Sequence, residues 1–184
     1  VAPIGALYAD AYRLGVETAA LTHGHTTGIV ATGWFSLFIA ELCRGKPFRA
    51  AAIAAWGRCR GEAPEFDRAL IAAIRLPLDY ADRVPERLGE GWIAEEAAAI
   101  AIWCLLVTND PLEALRLAVN IDGDSDTTGS LVGQALGAAL GPGWIPEAWL
   151  NELELREVIE TLALDAVEVF TGDSDALAGK YPPG

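Results

Sequence analysis

Two segments, Thr26–Arg44 and Ile93–Thr108, are apolar almost all the way round a helical wheel. A helix without a polar side must be surrounded by other elements, so such a pair belongs at the centre of a bundle. The first segment ends in Arg44-Gly45 with Pro47 beyond, a terminal cation followed by a glycine stop. Phe48–Arg60 is Ala-rich, and Gly61 ends it. Pro64 suits the first turn of Glu65–Leu76, where Phe66, Ala69, Leu70, Ala73 and Ile74 recur at helical spacing. Asn109-Asp110-Pro111 starts a helix over Leu112–Val119. A further helix runs from about Asp126 to Leu140 and is broken by Gly141-Pro142-Gly143. In Glu152–Phe170, Leu155, Val158, Ile159, Leu162, Ala166, Val169 and Phe170 form one apolar face, with most acids opposite. Pro77, Pro85 and Gly89-Glu90-Gly91 mark irregular connections. No stretch alternates with period two, and there is no internal repeat. The fold class is therefore all-α, a multi-helix bundle.

At 184 residues and 52% hydrophobic content, one domain with a real core is expected. The net charge of −13 argues against nucleic acid or an anionic membrane as partner. Cys43, Cys59 and Cys104 are odd in number, far apart and in apolar surroundings, as expected of reduced, buried thiols in a cytoplasmic protein. Val1–Arg13 lacks a basic segment followed by an apolar one, so it does not read as a signal peptide. The longest uncharged run, Thr26–Ala40, falls short of the ~20 residues of a membrane span. Methionine is absent, and Val1-Ala2-Pro3-Ile4-Gly5 reads as mid-domain sequence, so the chain is expected to begin inside a longer protein.

The chemistry concentrates in Ile121–Leu136, where Asp122, Asp124 and Asp126 alternate and are followed by Thr127 and Thr128. Like charges this close persist if they are solvated, capping a helix, or bound to a cation. One Asp before a helix is an ordinary cap; three exceed what capping needs. An EF-hand loop starting at Asp122 would need Gly at Thr127 and Glu at Gly133, and is rejected. Asp124, Asp126 and Thr128 match the D-x-D-x-T of aspartyl-phosphate phosphatases, but that chemistry needs a buried parallel strand, which Leu115–Ile121 would have to supply. The third template is a hard-cation site at a helix start. Asp124, Asp126 and Thr127 would turn their oxygens to one point, suited to Mg²⁺ or Mn²⁺. Gly123 and Gly129 would let backbone and substrate approach closely. Gly172-Asp173-Ser174-Asp175 echoes the motif without the Thr-Thr-Gly that follows it, and reads as a helix cap.

Four segments carry a resemblance. They are Val1-Ala2-Pro3-Ile4-Gly5; Thr22-His23-Gly24-His25 opening the long apolar helix; Gly91-Trp92-Ile93-Ala94-Glu95-Glu96-Ala97; and Gly123-Asp124-Ser125-Asp126-Thr127-Thr128-Gly129-Ser130. In order and spacing the chain resembles the C-terminal two-thirds of the ADP-ribosylglycohydrolase family, which includes the dinitrogen-reductase-activating glycohydrolases and crystallin J1-like proteins. The resemblance implies an all-α, orthogonal multi-helix bundle with a two-ion Mg²⁺ or Mn²⁺ site. Asp124, Asp126 and Thr127 would be metal ligands, and His23, Gly123 and Gly129 would line the substrate cleft. The implied reaction is hydrolysis of the glycosidic bond at the ribose C1 of an ADP-ribosylated protein or small ADP-ribose conjugate. Metals would orient ribose hydroxyls and water, and helix N-termini would meet the pyrophosphate. The family's N-terminal segment carries a Thr/Ser-Asp-Asp-Thr motif and the acidic residue that activates water, and it has no counterpart here. The general base is therefore expected in that segment, joined to this chain or separate from it. A non-catalytic, crystallin J1-like structural or ADP-ribose-binding protein is the alternative, and the phosphatase a third.

Of the remaining residues, His23 divides between the cleft and a structural hydrogen bond. His25 is expected at the surface or in a cap. Trp92 is expected in the core rather than as a stacking platform. Glu95 and Glu96 either complement a helix dipole or orient the site from behind.

Overall fold

A computed structural model describes residues 2–76, 83–171, 180 and 181. Val1, Pro77 and the 172–175 echo lie outside the described residues. The helices are α1 (Ala2–Leu7), α2 (Ala11–Ala20), α3 (Thr26–Cys43), α4 (Phe48–Cys59), α5 (Pro64–Arg75), α6 (Ala94–Val107), α7 (Pro111–Val119), α8 (Ser125–Leu140), α9 (Glu147–Glu152) and α10 (Arg156–Thr171). One 3₁₀ turn, Glu86–Leu88, lies between α5 and α6. No strand occurs among the described residues, so the all-α expectation holds. Two helices, α1 and α2, precede those that the periodicity predicts.

The chain forms two compact units, Val1–Trp144 and Ile145–Gly184. In the first, α3 and α6 are the central helices. Residues Ala97 through Leu105 of α6 are buried without a break. α6 packs against α3, α4, α5, α7 and α8, which leaves it no water-facing side. In α3, Trp34 stacks on Phe38 with ring centroids 5.2 Å apart and meets Phe66 of α5 at 5.3 Å. The Trp34 indole N–H, buried with the ring, donates to the Ala52 carbonyl at 3.2 Å. α3 has the length and apolarity of a membrane span, yet Trp34, Phe38 and Ile39 are buried within this unit. It stops at Arg44, where Gly45 adopts φ +83°.

Three expectations need correction. Cys43 is exposed, because it is the last residue of α3, where the helix leaves the core; Cys59 and Cys104 are buried as expected, and all three are free. Trp92 is 66% exposed, because it lies on the loop before α6 rather than in the helix. The helix expected over Glu152–Phe170 starts later, as α10 at Arg156: a shorter helix, α9, ends at Glu152, and Leu155 takes φ +59° between them. Within this second unit the expected apolar face is half-exposed, with Val158, Ile159 and Leu162 each at 50%.

Candidate metal centre at the start of α8

The site is built where α8 begins. Asp124 is the N-cap of α8, its Oδ1 accepting the Thr127 N–H at 3.4 Å. Asp126 and Thr127 follow in the first turn of α8 and are the side chains that act most on the Asp124 carboxyl. Their hydrogen bonding, Asp126 first and then Thr127, holds the Asp124 carboxyl below the usual carboxylate range, although crowding of two acids alone would push one of them up. Thr128 turns the other way: it is fully buried and its hydroxyl donates to the Ala118 carbonyl at 2.7 Å, pinning α8 to the end of α7.

The phosphatase template fails at this point. Pro111–Val119 is a helix, so no strand precedes the aspartates, and the hydroxyl of Thr128 is committed to backbone carbonyls.

A second loop holds Asp124 from outside α8. The Asp124 N–H donates to the Glu90 carbonyl at 2.8 Å. A Cβ on Gly123 would lie 1.9 Å from that oxygen, so only glycine lets the two loops meet. Gly91 takes φ +84°, and a Cβ there would crowd Thr128 Cγ2 at 3.1 Å. The Glu90 and Gly91 N–H groups both donate to Glu96 Oε2, at 3.2 Å each. The Trp92 indole donates to Glu90 Oε2 at 3.0 Å. A Cβ on Gly129 would meet Val119 Cγ1 at 2.6 Å. What Gly123 and Gly129 admit in this structure is thus protein, the Glu90 peptide and α7 respectively.

The other expected residues have the following surroundings. His23 is exposed on the loop between α2 and α3, and its hydrogen bond is local, Nδ1 to the Thr22 hydroxyl at 2.8 Å. His25 is the N-cap of α3 without a side-chain cap bond. Asp122 lines a cavity of about 330 Å³ with Glu86, Glu90, Asn120 and Arg83, on the far side of Gly123 from Asp124 in sequence. Sequence reasoning missed Glu90 as a backbone partner, although the flanking glycines of Gly89-Glu90-Gly91 were its signal.

The donor set suits a hard divalent cation: two carboxylates and a hydroxyl, all oxygen, with no soft ligand. Among the described residues no group of three His, Cys, Asp or Glu side chains converges. The pair with Thr127 therefore supplies part of an octahedral shell and leaves the rest to water, substrate or further polypeptide.

Comparison with known proteins gives a consistent result. The family model described as ADP-ribosylglycohydrolase matches residues 1–176. A protein of Archaeoglobus fulgidus is 31% identical over 179 residues, which is 92% of this chain and 56% of that protein. The ADP-ribosylarginine hydrolase Tri1 of Serratia proteamaculans is 28% identical over 85 residues, 46% of this chain and 23% of its own. A solved chain from an ADP-ribosylglycohydrolase-related protein complex superposes with a TM-score of 0.71 at 35% identity, covering 88% of this chain and 55% of that one. The chain thus spans about half the length of the archaeal relative and of the solved chain.

Proposed function

The chain belongs to the ADP-ribosylglycohydrolase family, and we propose that it forms part of a metal-dependent hydrolase that removes ADP-ribose from a protein side chain or small conjugate. The observation that carries this reading is Asp124 as N-cap of α8, held by the Thr127 N–H at 3.4 Å and the Glu90 carbonyl at 2.8 Å, with Asp126 and Thr127 in the first turn behind it. Asp124, Asp126 and Thr127 would hold Mg²⁺ or Mn²⁺. Such an ion supplies Lewis acidity that orients ribose hydroxyls and water and offsets developing charge. The chain's own part is to hold two carboxylates side by side against their repulsion, using the α8 N-terminus, the Thr127 hydroxyl and the Glu90 carbonyl. The exposed Trp92, tied to Glu90, stands on the same loop and offers a flat face to a base or sugar. His23 is proposed for the substrate side of the cleft. Free thiols suit a reducing, cytoplasmic setting.

A second reading rests on the donor count. Two carboxylates and a hydroxyl are fewer than a two-ion site needs, so this chain alone would bind metal weakly and turn over poorly. That is the behaviour of a non-catalytic, ADP-ribose-binding member of the family. Calorimetric titration with Mn²⁺ and with ADP-ribose, followed by release of ADP-ribose from modified arginine, separates the two. Neither metal nor ADP-ribose binding would end the proposal; ADP-ribose binding without metal or turnover would select the second reading.

A further inference from the structure

The loop before α6, which holds Asp124 through the Glu90 carbonyl, hangs from Glu96. Its Oε2 accepts the N–H groups of both Glu90 and Gly91 at 3.2 Å. The Glu90 carbonyl, the other end of that same residue, accepts the Asp124 N–H at 2.8 Å. Three glycines make the arrangement possible. A Cβ on Gly89 would lie 2.2 Å from Glu96 Cδ and one on Gly123 1.9 Å from the Glu90 oxygen, while Gly91 takes φ +84°. Glu96 itself sits in the first turn of α6, the helix whose following nine residues, Ala97 to Leu105, are all buried. The carboxylate is thus anchored to the helix with the longest unbroken buried run in the first unit.

We propose that Glu96 is a positioning residue: through the Glu90 peptide it fixes where Asp124 stands, and so sets how well the Asp124–Asp126 pair takes a divalent cation. This rests on the metal reading above. Both amides use one oxygen, so hydrogen bonding and not charge is what Glu96 must supply. A glutamine oxygen in the same place accepts the same two bonds. An aspartate, one methylene shorter, withdraws the acceptor while keeping the charge and the helix start.

The experiment compares E96A, E96D and E96Q in the full 184-residue chain. Mn²⁺ affinity is measured by titration, and exchange of the Asp124 amide proton is measured without metal. E96A and E96D are expected to lose roughly 10–100-fold in Mn²⁺ affinity and to exchange the Asp124 amide faster. E96Q is expected to stay close to the unsubstituted chain in both. If E96A fails to fold, as its circular dichroism would show, E96D and E96Q carry the comparison. Affinity and exchange unchanged in E96D, or E96Q falling together with it, would overturn the positioning role. If the unsubstituted chain takes up no Mn²⁺, the metal reading alone falls, and the Asp124 exchange rates decide the role of Glu96.

Discussion

The backbone N–H of Asp124 and the carbonyl of Glu90 meet at 2.8 Å across two loops, and Gly123 is the residue that lets them. This contact ties the start of α8 to the loop before α6. It places a charged N-cap under tertiary control, whereas most N-caps answer only to their own helix.

Asp124 has two duties that substitution separates. Asparagine caps a helix about as well as aspartate but is a much poorer ligand for a hard cation. Asp124→Asn is expected to leave the thermal midpoint nearly unchanged while Mn²⁺ binding falls by more than the roughly 10–100-fold of an outer-shell loss. Asp124→Ala should lower both. Melting followed by circular dichroism, beside calorimetry, makes the distinction.

Gly123→Ala and Gly129→Ala should differ in whether they can be rescued. A Cβ on Gly129 meets the tip of the Val119 side chain, while one on Gly123 meets the Glu90 backbone. Each change is expected to cost about 1–3 kcal/mol by overpacking. Adding Val119→Ala should recover most of the loss for Gly129→Ala and none for Gly123→Ala, as urea midpoints would show.

Glu41, near the end of α3, faces both Lys46 and Arg44, the latter at 2.7 Å. The hydrogen bond from Lys46, opposed by partial burial, holds its carboxyl below the usual range. A carboxylate depressed in the folded state adds stability above its unfolded value, about 4.3, and that contribution disappears as pH falls through the folded value. Glu41→Gln is therefore expected to cost up to about 1 kcal/mol at pH 7 and little at pH 2. Urea unfolding at the two pH values tests this.

Thiol reactivity should divide one from two. Burial pushes Cys59 and Cys104 up to about 12, and both lie inside the first unit, whereas Cys43 is exposed. A disulfide reagent at pH 8 is expected to modify one thiol in the native chain and three after unfolding in urea. Rapid modification of two or more in the native chain would contradict the burial.

Much of this was legible in the sequence because it is periodic. Glycine and proline stops fixed the bounds of α3, α4, α5 and α7 to within a residue or two, and the wheel-round apolarity of α3 and α6 announced the centre of the bundle. The aspartate motif was legible because side-chain chemistry is written in residue types. The Glu96–Glu90–Asp124 connection was not, since every hydrogen-bonding group in it but the Glu96 carboxylate is a peptide atom that residues of any type carry. Trp92 misled because bulk alone does not say whether an aromatic just ahead of a buried helix turns into the core or out to water. At Leu155 an apolar period continued through a residue whose backbone had already turned left-handed, a local event that the side-chain pattern does not encode.

Nine successive buried positions in α6 also say something about how this chain can vary by descent. An ordinary surface helix offers every second or third position to polar replacement at little cost. From Ala97 to Leu105 there is no such position, and both volume and polarity are constrained at each step. Related chains are expected to differ here by exchanges among alanine, valine, isoleucine and leucine, compensated on facing helices, while single polar replacements are lost. The helix that begins at Ala94 should therefore be among the slowest segments to diverge, for reasons of packing that are separate from the chemistry at its first turn.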